Sequence, residues 1–243
     1  MHLLVIEDER ALCETIVRSL RRQAYSVDCC YDGEKALELL HSGVVQRVLG
    51  WRTGEFFYDL TPGVFIAPEE VEQDFVYNIF SGANLSKYLI AESKKEGKIA
   101  VFLKPCDSFS FVQLQKEHRI NRENIYAVGV QCDGKCDGES LRAAGCEGLL
   151  TVEGEEVLNV HTLYGEKIVA KKDALLGKCR TCKSKHIADF DELIGQQGKD
   201  TDSARFEEVT KLEAMTPDER FHFWQGELSK CIRCNACRNV CPA

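Results

Sequence analysis

Two stretches decide the fold of this 243-residue chain: IAVFLKPCDS (99–108) and IYAVGVQCDG (125–134). Each is a continuous apolar run of strand length that leads into a polar turn with a Cys-Asp pair. Apolar runs that alternate with helical segments are typical of a parallel sheet with both faces covered. Ligands bind outside the carboxyl ends of such strands, so we expect both Cys-Asp pairs to open into one crevice. The alternative is that the strands lie apart and each Asp caps a helix.

The segments around these strands complete an α/β pattern. VVQRVLGW (44–51) and PGVFI (62–66) are further strand candidates, and LLTVEGEEVLNV (149–160) has the pattern of a hairpin. The fold class that we predict is therefore α/β, with a parallel or mixed sheet core and a C-terminal helical, ferredoxin-like iron–sulfur segment. Within that segment, Thr216-Pro217-Asp218-Glu219 predicts a helix start. The helix that follows has an apolar face of Phe221, Trp224 and Leu228, which we expect to pack in a core.

Composition and charge restrict the class of protein. Hydrophobic residues make up 44% of the chain and charged residues 29%, which excludes the disordered and fibrous classes. The formal net charge of −8 argues against a general nucleic-acid-binding face. No window approaches the roughly 18 consecutive apolar residues of a membrane span. The acidic cluster EDER (7–10) is unlike a secretory signal, so we expect a cytoplasmic protein.

Cysteine is the most informative residue type, with 13 in the chain. In a reducing compartment, clustered cysteines indicate metal or redox chemistry rather than disulfides. The segment CIRCNACRNVCP (231–242) has the spacing C-x2-C-x2-C-x3-C-P of a bacterial ferredoxin. It predicts a 4Fe-4S cluster, and a zinc-binding interaction protein is the alternative. The predicted metal ligands are Cys231, Cys234, Cys237 and Cys241, together with the pair Cys179 and Cys182.

The number of clusters depends on the fourth ligand of each. In two-cluster ferredoxins, the cysteine before proline ligates the other cluster. A second cluster would then have Cys241, Cys179 and Cys182 and would lack a fourth ligand that the sequence identifies. We therefore expect one complete cluster of about four irons, or two if a further ligand exists.

The first 41 residues have a different character. LLVIEDE (3–9), a helical L-x3-I-x3-L pattern and DGEKALELL (32–40) resemble the start of a bacterial response-regulator receiver domain. The resemblance implies that Glu7 and Asp8 would help to hold magnesium, but no acceptor aspartate follows the third strand candidate. A phosphorelay signalling module is the rival function that this fragment suggests. Deletion of residues 1–36 should leave iron content unchanged, because these residues contain no predicted cluster ligand.

The remaining 200 or so residues resemble the iron–sulfur flavoprotein beta-subunit family of deazaflavin-reducing hydrogenases and formate dehydrogenases. They are most like the ferredoxin-like relatives of heterodisulfide reductase complexes. The residues that carry the resemblance are TPGVFI (61–66), GKIAVFLKPCDS (97–108), INRENIYAVGVQCDG (120–134), LLGKCRTCK (175–183) and TPDERFHFW (216–224), which runs into the cysteine run. Members of this family commonly have more cysteines after the Cys-Pro pair and do not begin with a receiver fragment. The resemblance therefore implies a fusion or an unusual variant.

The resemblance implies an electron-transfer subunit that holds a 4Fe-4S cluster and, in many members, FAD. Other subunits of a redox complex or a ferredoxin would be its partners. The Cys-Asp-Ser turn at 106–108 precedes a predicted helix. This turn and nearby polar side chains are candidates for flavin binding, because a helix start favours phosphate. These candidates are Asn84, Lys87, Lys104, Cys106, Asp107, Ser108, Cys132 and Asp133. Asn84 as a helix cap, with Cys106 and Cys132 as small buried residues, is the alternative.

These patterns divide the chain into three predicted segments. Residues 1–41 are a receiver-like fragment, residues 42–175 are an α/β domain and residues 176–243 are a cysteine-rich 4Fe-4S segment. The predicted function is electron transfer within an oxidoreductase complex of the hydrogenase, formate dehydrogenase or heterodisulfide reductase type. No catalytic residue and no donor or acceptor follows from the sequence.

Overall fold

A computed structural model describes residues 2–5, 26–29, 31–201 and 205–240. Glu7, Asp8 and Cys241 lie outside the described residues. The strands are β1 (His2–Val5), β2 (Ser26–Cys29), β3 (Arg47–Thr53), β4 (Leu60–Phe65), β5 (Ile99–Leu103), β6 (Ile125–Val130), β7 (Leu149–Glu153), β8 (Val157–Thr162), β9 (Gly165–Ala170) and β10 (Glu192–Ile194).

The α-helices lie between and after these strands. They are α1 (Tyr31–His41), α2 (Pro68–Asp74), α3 (Leu89–Glu92), α4 (Pro105–Lys116), α5 (Gly138–Ala143), α6 (Lys171–Ala174), α7 (Gly177–Arg180), α8 (Glu207–Ala214), α9 (Pro217–Ser229) and α10 (Ala236–Val240). Short 3-10 helices cover Ser86–Tyr88 and Arg122–Asn124. The 3-10 helix Ser86–Tyr88 continues directly into the short α3.

The central sheet has the strand order β10-β6-β5-β3-β4. All neighbours are parallel except β3 and β4, which form an antiparallel pair. Strands β5 and β6 lie side by side from the pair Ile99 and Ile125 to the pair Leu103 and Gly129. The predicted α/β class with a mixed sheet is confirmed, and the two Cys-Asp turns leave the same edge of the sheet.

The main core forms around β5, every residue of which is buried. Its apolar side chains pack between helices on both faces, as expected for a central parallel strand. Helix α1 contributes to this core, because Ala36 is fully buried and Leu39 is nearly so. Lys35 of the same helix forms an ion pair with Glu192 of β10, with 2.8 Å between Nζ and Oε1. The end of the receiver-like fragment therefore packs against the central sheet.

We expect deletions of residues 1–30 and of residues 1–36 both to leave the iron content of the folded protein unchanged. Neither deletion removes a predicted cluster ligand. The longer deletion should lower the unfolding temperature more, because it removes Ala36 from the core and Lys35 from its ion pair. Iron analysis and thermal unfolding of the two proteins check this prediction. Equal loss of iron from both would show that the N-terminal residues support the metal site.

A second, antiparallel sheet has the order β7-β8-β9 and includes the predicted hairpin. Its inner face packs against helices α5 and α6 in a smaller core that contains Leu141, Leu158 and Val160. This unit follows β6 in the chain and precedes α7. About 40 residues of sequence therefore lie between the end of β6 and the Cys179–Cys182 segment. The two are nevertheless close in space, because both contribute to one cleft.

Helix α9 begins as its sequence predicts. The Thr216 hydroxyl accepts from the Glu219 N–H, and the Glu219 carboxylate accepts from the Thr216 N–H. The prediction that its apolar face packs in a core is wrong, because Phe221, Trp224 and Leu228 are all exposed. Helical spacing shows only that these side chains share one face of the helix, and it does not show what that face contacts.

None of the helices in the described ranges has the length and apolar character needed to cross a membrane.

Candidate functional site

Four cysteines line one small cleft at the carboxyl edge of the central sheet. They are Cys106, Cys132, Cys179 and Cys182. The cleft has a volume of about 60 Å³, and Pro105, Gly134, Lys178, Ser184 and Lys185 complete its walls. The first two cysteines follow β5 and β6, whereas the other two belong to the CxxC pair at α7. The two cysteines of the predicted crevice thus line one cleft, whereas Asp107 and Asp133 are not among its lining residues. A third chain segment, which carries Cys179 and Cys182, also contributes to the cleft.

The strand ends place the first two cysteines for simple reasons. Pro105 occupies the first position of α4, where its missing N–H costs nothing, and Cys106 follows in the first turn. Cys132 lies two residues past the end of β6. The chain then turns at Gly134, whose φ of +99° is unfavourable for other residues, and a Cβ there would approach the Leu175 side chain to 2.7 Å. Glycine therefore allows this turn to pack against the segment that carries Cys179.

Backbone hydrogen bonds hold the CxxC segment against the turn after β6. The Leu176 N–H donates to the Lys135 carbonyl at 2.8 Å, and the Lys135 N–H points to Cys179 Sγ at 3.5 Å. The Cys182 thiol donates to the Ser184 carbonyl at 3.3 Å. These contacts place both thiols of the pair at the cleft.

Cationic side chains line the cleft, and its thiols are poorly solvated. Lys178 and Lys185 both contribute to the walls. Cys106 is exposed by its accessible surface, but protein atoms crowd its sulfur. This desolvation, with the Asp107 carboxylate, raises the pKa of the Cys106 thiol to about 12. Burial likewise raises the pKa of Cys182. These thiols are therefore protonated near neutral pH, and metal ligation would require them to release protons.

Lys104 and Asp107 form a buried ion pair behind the cleft. The Lys104 Nζ lies 2.7 Å from Asp107 Oδ2, and both side chains are almost fully inaccessible. The Lys104 ammonium and Asp107 Oδ2 are in ion-pair contact, but their geometry is not that of an aligned hydrogen bond. The ammonium also donates to the Ala83 carbonyl at 2.8 Å and lies 4.1 Å from the centre of the Trp51 ring. Asp107 therefore neither faces the crevice nor caps α4, whose N-cap is Lys104.

The other candidate flavin residues are spread over several environments. Asn84 Oδ1 accepts from the Ser86 N–H at 2.9 Å, although the N-cap of the 3-10 helix that follows is Leu85. Ser108 is buried and donates to the Pro105 carbonyl at 2.7 Å. Lys87 lies over the ring of Tyr88, and Asp133 is exposed. Of the eight candidate residues, Cys106 and Cys132 line the cleft, and flavin binding by this set stays a prediction.

The C-terminal cysteine run begins as an exposed loop at residues 231–235 and continues into α10, which contains Cys237. Cys231, Cys234 and Cys237 are all exposed. Arg233 and Asn235 adopt positive φ angles of 58° and 59°, so successive peptide groups turn sharply between the cysteines. The Arg233 N–H points to Cys231 Sγ at 3.4 Å. Compact turns and an N–H aimed at sulfur suit a cluster that thiolates hold, so the described part of the run fits that donor set.

No group of three or more His, Cys, Asp or Glu side chains within the described ranges is placed to ligate one metal ion. Assignment of Cys231, Cys234, Cys237 and Cys241 as ligands stays a prediction. Sequence reasoning missed the meeting of the CxxC pair with the two strand-end cysteines. It also missed Lys178, Lys185 and Gly134, which line the same cleft. The CxxC spacing was the available signal, but spacing does not indicate which distant cysteines complete a site.

Comparison with known proteins gives relatives in one class of redox enzyme. The chain is 24% identical, over 268 aligned positions, to the F420-dependent formate dehydrogenase 1 subunit beta of Methanococcus maripaludis, covering 84% of this chain and 69% of that protein. It is 34% identical over 96 positions to the F420-dependent formate dehydrogenase subunit beta of Methanocaldococcus jannaschii, covering 40% of this chain and 25% of that protein. The predicted resemblance to such beta subunits is confirmed.

Two further comparisons are weaker or shorter. A structure of the F420-reducing nickel–iron hydrogenase complex from Methanosarcina barkeri matches with a TM-score of 0.47 and 16% identity, covering 61% of this chain and 58% of that chain. The transcriptional regulatory protein DltR of Streptococcus agalactiae is 43% identical over 49 positions, covering 20% of this chain and 22% of that protein. The length of this match is similar to that of the receiver-like fragment. No protein-family profile matches the chain.

Proposed function

We propose that this chain is an electron-transfer subunit of an oxidoreductase complex and that its C-terminal cysteine run holds a 4Fe-4S cluster. The ferredoxin spacing of the run is the observation that carries the proposal. The similarity to beta subunits of F420-dependent formate dehydrogenases supports it. Because the chain spans 69% of one of these relatives and 25% of the other, their activity and substrates enter only as part of this proposal.

Cys231, Cys234 and Cys237 would hold the cluster, with Cys241 or another cysteine as the fourth ligand. When bound, the cluster supplies one-electron transfer. The residues of the chain itself have three roles. The left-handed backbone at Arg233 and Asn235 makes the loop compact, and the Arg233 N–H points to the Cys231 sulfur. The cationic residues Lys230, Arg233 and Arg238 lie within or next to the run and would offset the net negative charge of a thiolate-ligated cluster.

Exposure of the run fits exchange of electrons with a partner. Ile232, next to Cys231, is 84% exposed, and the cysteines around it are exposed as well. A redox partner can approach such a loop without displacing other parts of the chain. Other subunits of a redox complex or a ferredoxin are the partners that we propose.

Anaerobic purification followed by iron, acid-labile sulfide, zinc and flavin analysis tests this function. We expect iron and sulfide in equal amounts, in multiples of about four per chain. A stoichiometric amount of zinc in place of iron would contradict the proposal and support a zinc-binding interaction protein. Flavin in the same sample would support the predicted FAD site, and its level in an Asp133→Ala variant would test that assignment separately.

A further inference from the structure

We infer that the exposed apolar face of helix α9 is the docking surface for an acidic electron-carrier protein of the ferredoxin type. This surface, the α9 face, consists of Phe221, Trp224 and Leu228, and it is extended by Ile232 of the adjoining cysteine run. The inference rests on the proposed function, because it names the surface through which the C-terminal run exchanges electrons. It adds the position of that surface and the chemistry of the partner that it fits.

The α9 face has a fixed outward orientation. Its three helical members are spaced three and four residues apart, so they form one stripe along the helix. Phe223 lies on another side of the helix and is half-buried, and its ring meets the Trp224 ring edge-on with 5.0 Å between centres. The Arg220 guanidinium donates to the carbonyls of Glu213 and Met215 at 3.2 and 3.0 Å. These bonds tie α9 to the end of α8, so the stripe is presented by an ordered pair of helices.

The composition of the α9 face is that of an interaction site. All four of its side chains are large, apolar and exposed. A contiguous apolar patch that polar residues surround marks a surface that another molecule covers. Tryptophan is among the residues that contribute most to binding at protein interfaces, and Trp224 lies in the middle of the stripe.

The α9 face continues directly into the cysteine run. Helix α9 ends at Ser229, and the Cys231 N–H donates to the Leu228 carbonyl at 3.1 Å. The first cysteine of the run is therefore held next to the last apolar residue of the helix. A carrier seated on this face also contacts the run, where one electron passes from the reduced carrier to the proposed cluster. No covalent bond forms or breaks in this step.

The charges around the run indicate the chemistry of the carrier. Lys230, Arg233 and Arg238 are all exposed, and the sequence from residue 228 to residue 243 contains no Asp or Glu. The Lys230 ammonium pairs with Glu227 at 2.6 Å, so the positive charge of this region comes mainly from the two arginines. The chain as a whole has a formal net charge of −8. An acidic carrier is therefore attracted to this region, whereas the net charge of the rest of the chain repels it.

A second copy of this chain is the alternative occupant. Two chains that pair through their α9 faces would cover both cysteine runs, and neither run would then be open to a redox partner. Such pairing conflicts with exchange of electrons with another protein. The electron carrier is therefore the occupant that we infer, and self-association is one of the outcomes of the test.

The test is calorimetric titration of the anaerobically purified full chain with an acidic bacterial two-cluster 4Fe-4S ferredoxin. We expect Trp224→Ala to raise the Kd by about tenfold or more, because it removes the central anchor of the face. Arg238→Glu should raise the Kd by about fivefold at low ionic strength and by much less in about 0.5 M salt, because salt screens the attraction. Both variants should keep the iron content of the wild type.

Two variants are matched controls, and a third guards against misfolding. Ile168→Ala removes an exposed apolar side chain from the second sheet, and Lys94→Glu reverses an exposed charge in the α/β body. Both should bind ferredoxin with the Kd of the wild type. Leu228→Ser changes the other end of the stripe and should also weaken binding, so the result does not depend on the folding of one variant. Thermal unfolding of each protein checks that the substitutions at these exposed positions leave the fold intact.

Stopped-flow oxidation of the reduced ferredoxin by each variant gives a second measurement, and its rate should follow the same order as the affinity. An iron-containing chain in which Trp224→Ala and Arg238→Glu change neither affinity nor rate would overturn the docking surface and leave the proposed function standing. Absence of ferredoxin binding to the iron-containing wild type at low ionic strength would have the same meaning. A chain dimer that Trp224→Ala dissociates in analytical ultracentrifugation would overturn the inference in favour of a second copy. A wild-type chain without iron would overturn the proposed function and, with it, the electron carrier as partner.

Discussion

Replacing Cys234 with serine is expected to remove about four irons per chain from the anaerobically purified protein. The run has two-residue spacers on both sides of Cys234, so this thiol lies at the centre of the ferredoxin spacing. The visible absorption of the cluster should fall in proportion to the loss of iron. Because Cys234 is exposed, the substitution itself should cost little folding stability.

The control for this variant is Cys146→Ala, which removes a thiol from the described core and should keep its iron. Thermal unfolding of both variants separates loss of the cluster from loss of the fold. An unchanged iron content in Cys234→Ser would contradict the assignment of the C-terminal run. It would also place whatever iron the protein contains elsewhere in the chain.

Replacing Lys104 with methionine is expected to lower the free energy of unfolding by about 3–5 kcal/mol. The substitution leaves the buried Asp107 carboxylate without its counter-ion, and removal of one partner from a buried pair is strongly destabilising. It also removes the hydrogen bond to the Ala83 carbonyl and the cation over the Trp51 ring. Anaerobic denaturant titration measures the change in stability.

Two comparisons make this prediction specific. Lys94→Met changes an exposed lysine and should alter stability by no more than about 0.5 kcal/mol. The double variant Lys104→Met/Asp107→Asn should recover part of the loss, because it no longer buries an unpaired charge. A loss below about 1 kcal/mol in Lys104→Met would contradict the description of Lys104 and Asp107 as a buried ion pair that stabilises the fold.

The sheet could be predicted from the sequence because its strands are locally distinctive. Residues 99–103 and 125–130 are continuous apolar runs, and the structure gives β5 and β6 the same bounds. Their parallel pairing followed from the alternation of strands and helices. The short edge strand β10 has no comparable signal, because its three residues are all half-buried and its pairing with β6 depends on a distant chain segment.

The site was harder to predict, because it depends on contacts between residues far apart in the chain. The sequence assigned Cys179 and Cys182 to the C-terminal cysteine-rich segment, whereas the structure places both beside Cys106 and Cys132. The orientation of Asp107 was also difficult to predict. Asp107 is buried in the core, whereas Cys106, one residue before it in the same helix, lines the cleft. Local spacing identifies residues that can act together, and tertiary structure decides which of them meet.

The central claim is that the chain carries electrons through iron–sulfur clusters, and electron paramagnetic resonance tests it most directly. The anaerobic protein is measured as purified, after reduction with dithionite and after reoxidation with a one-electron acceptor. We predict a signal of reduced four-iron clusters that appears on reduction, disappears on reoxidation and is weaker in Cys234→Ser. A protein that contains stoichiometric zinc and gives no such signal in the reduced state would contradict the account.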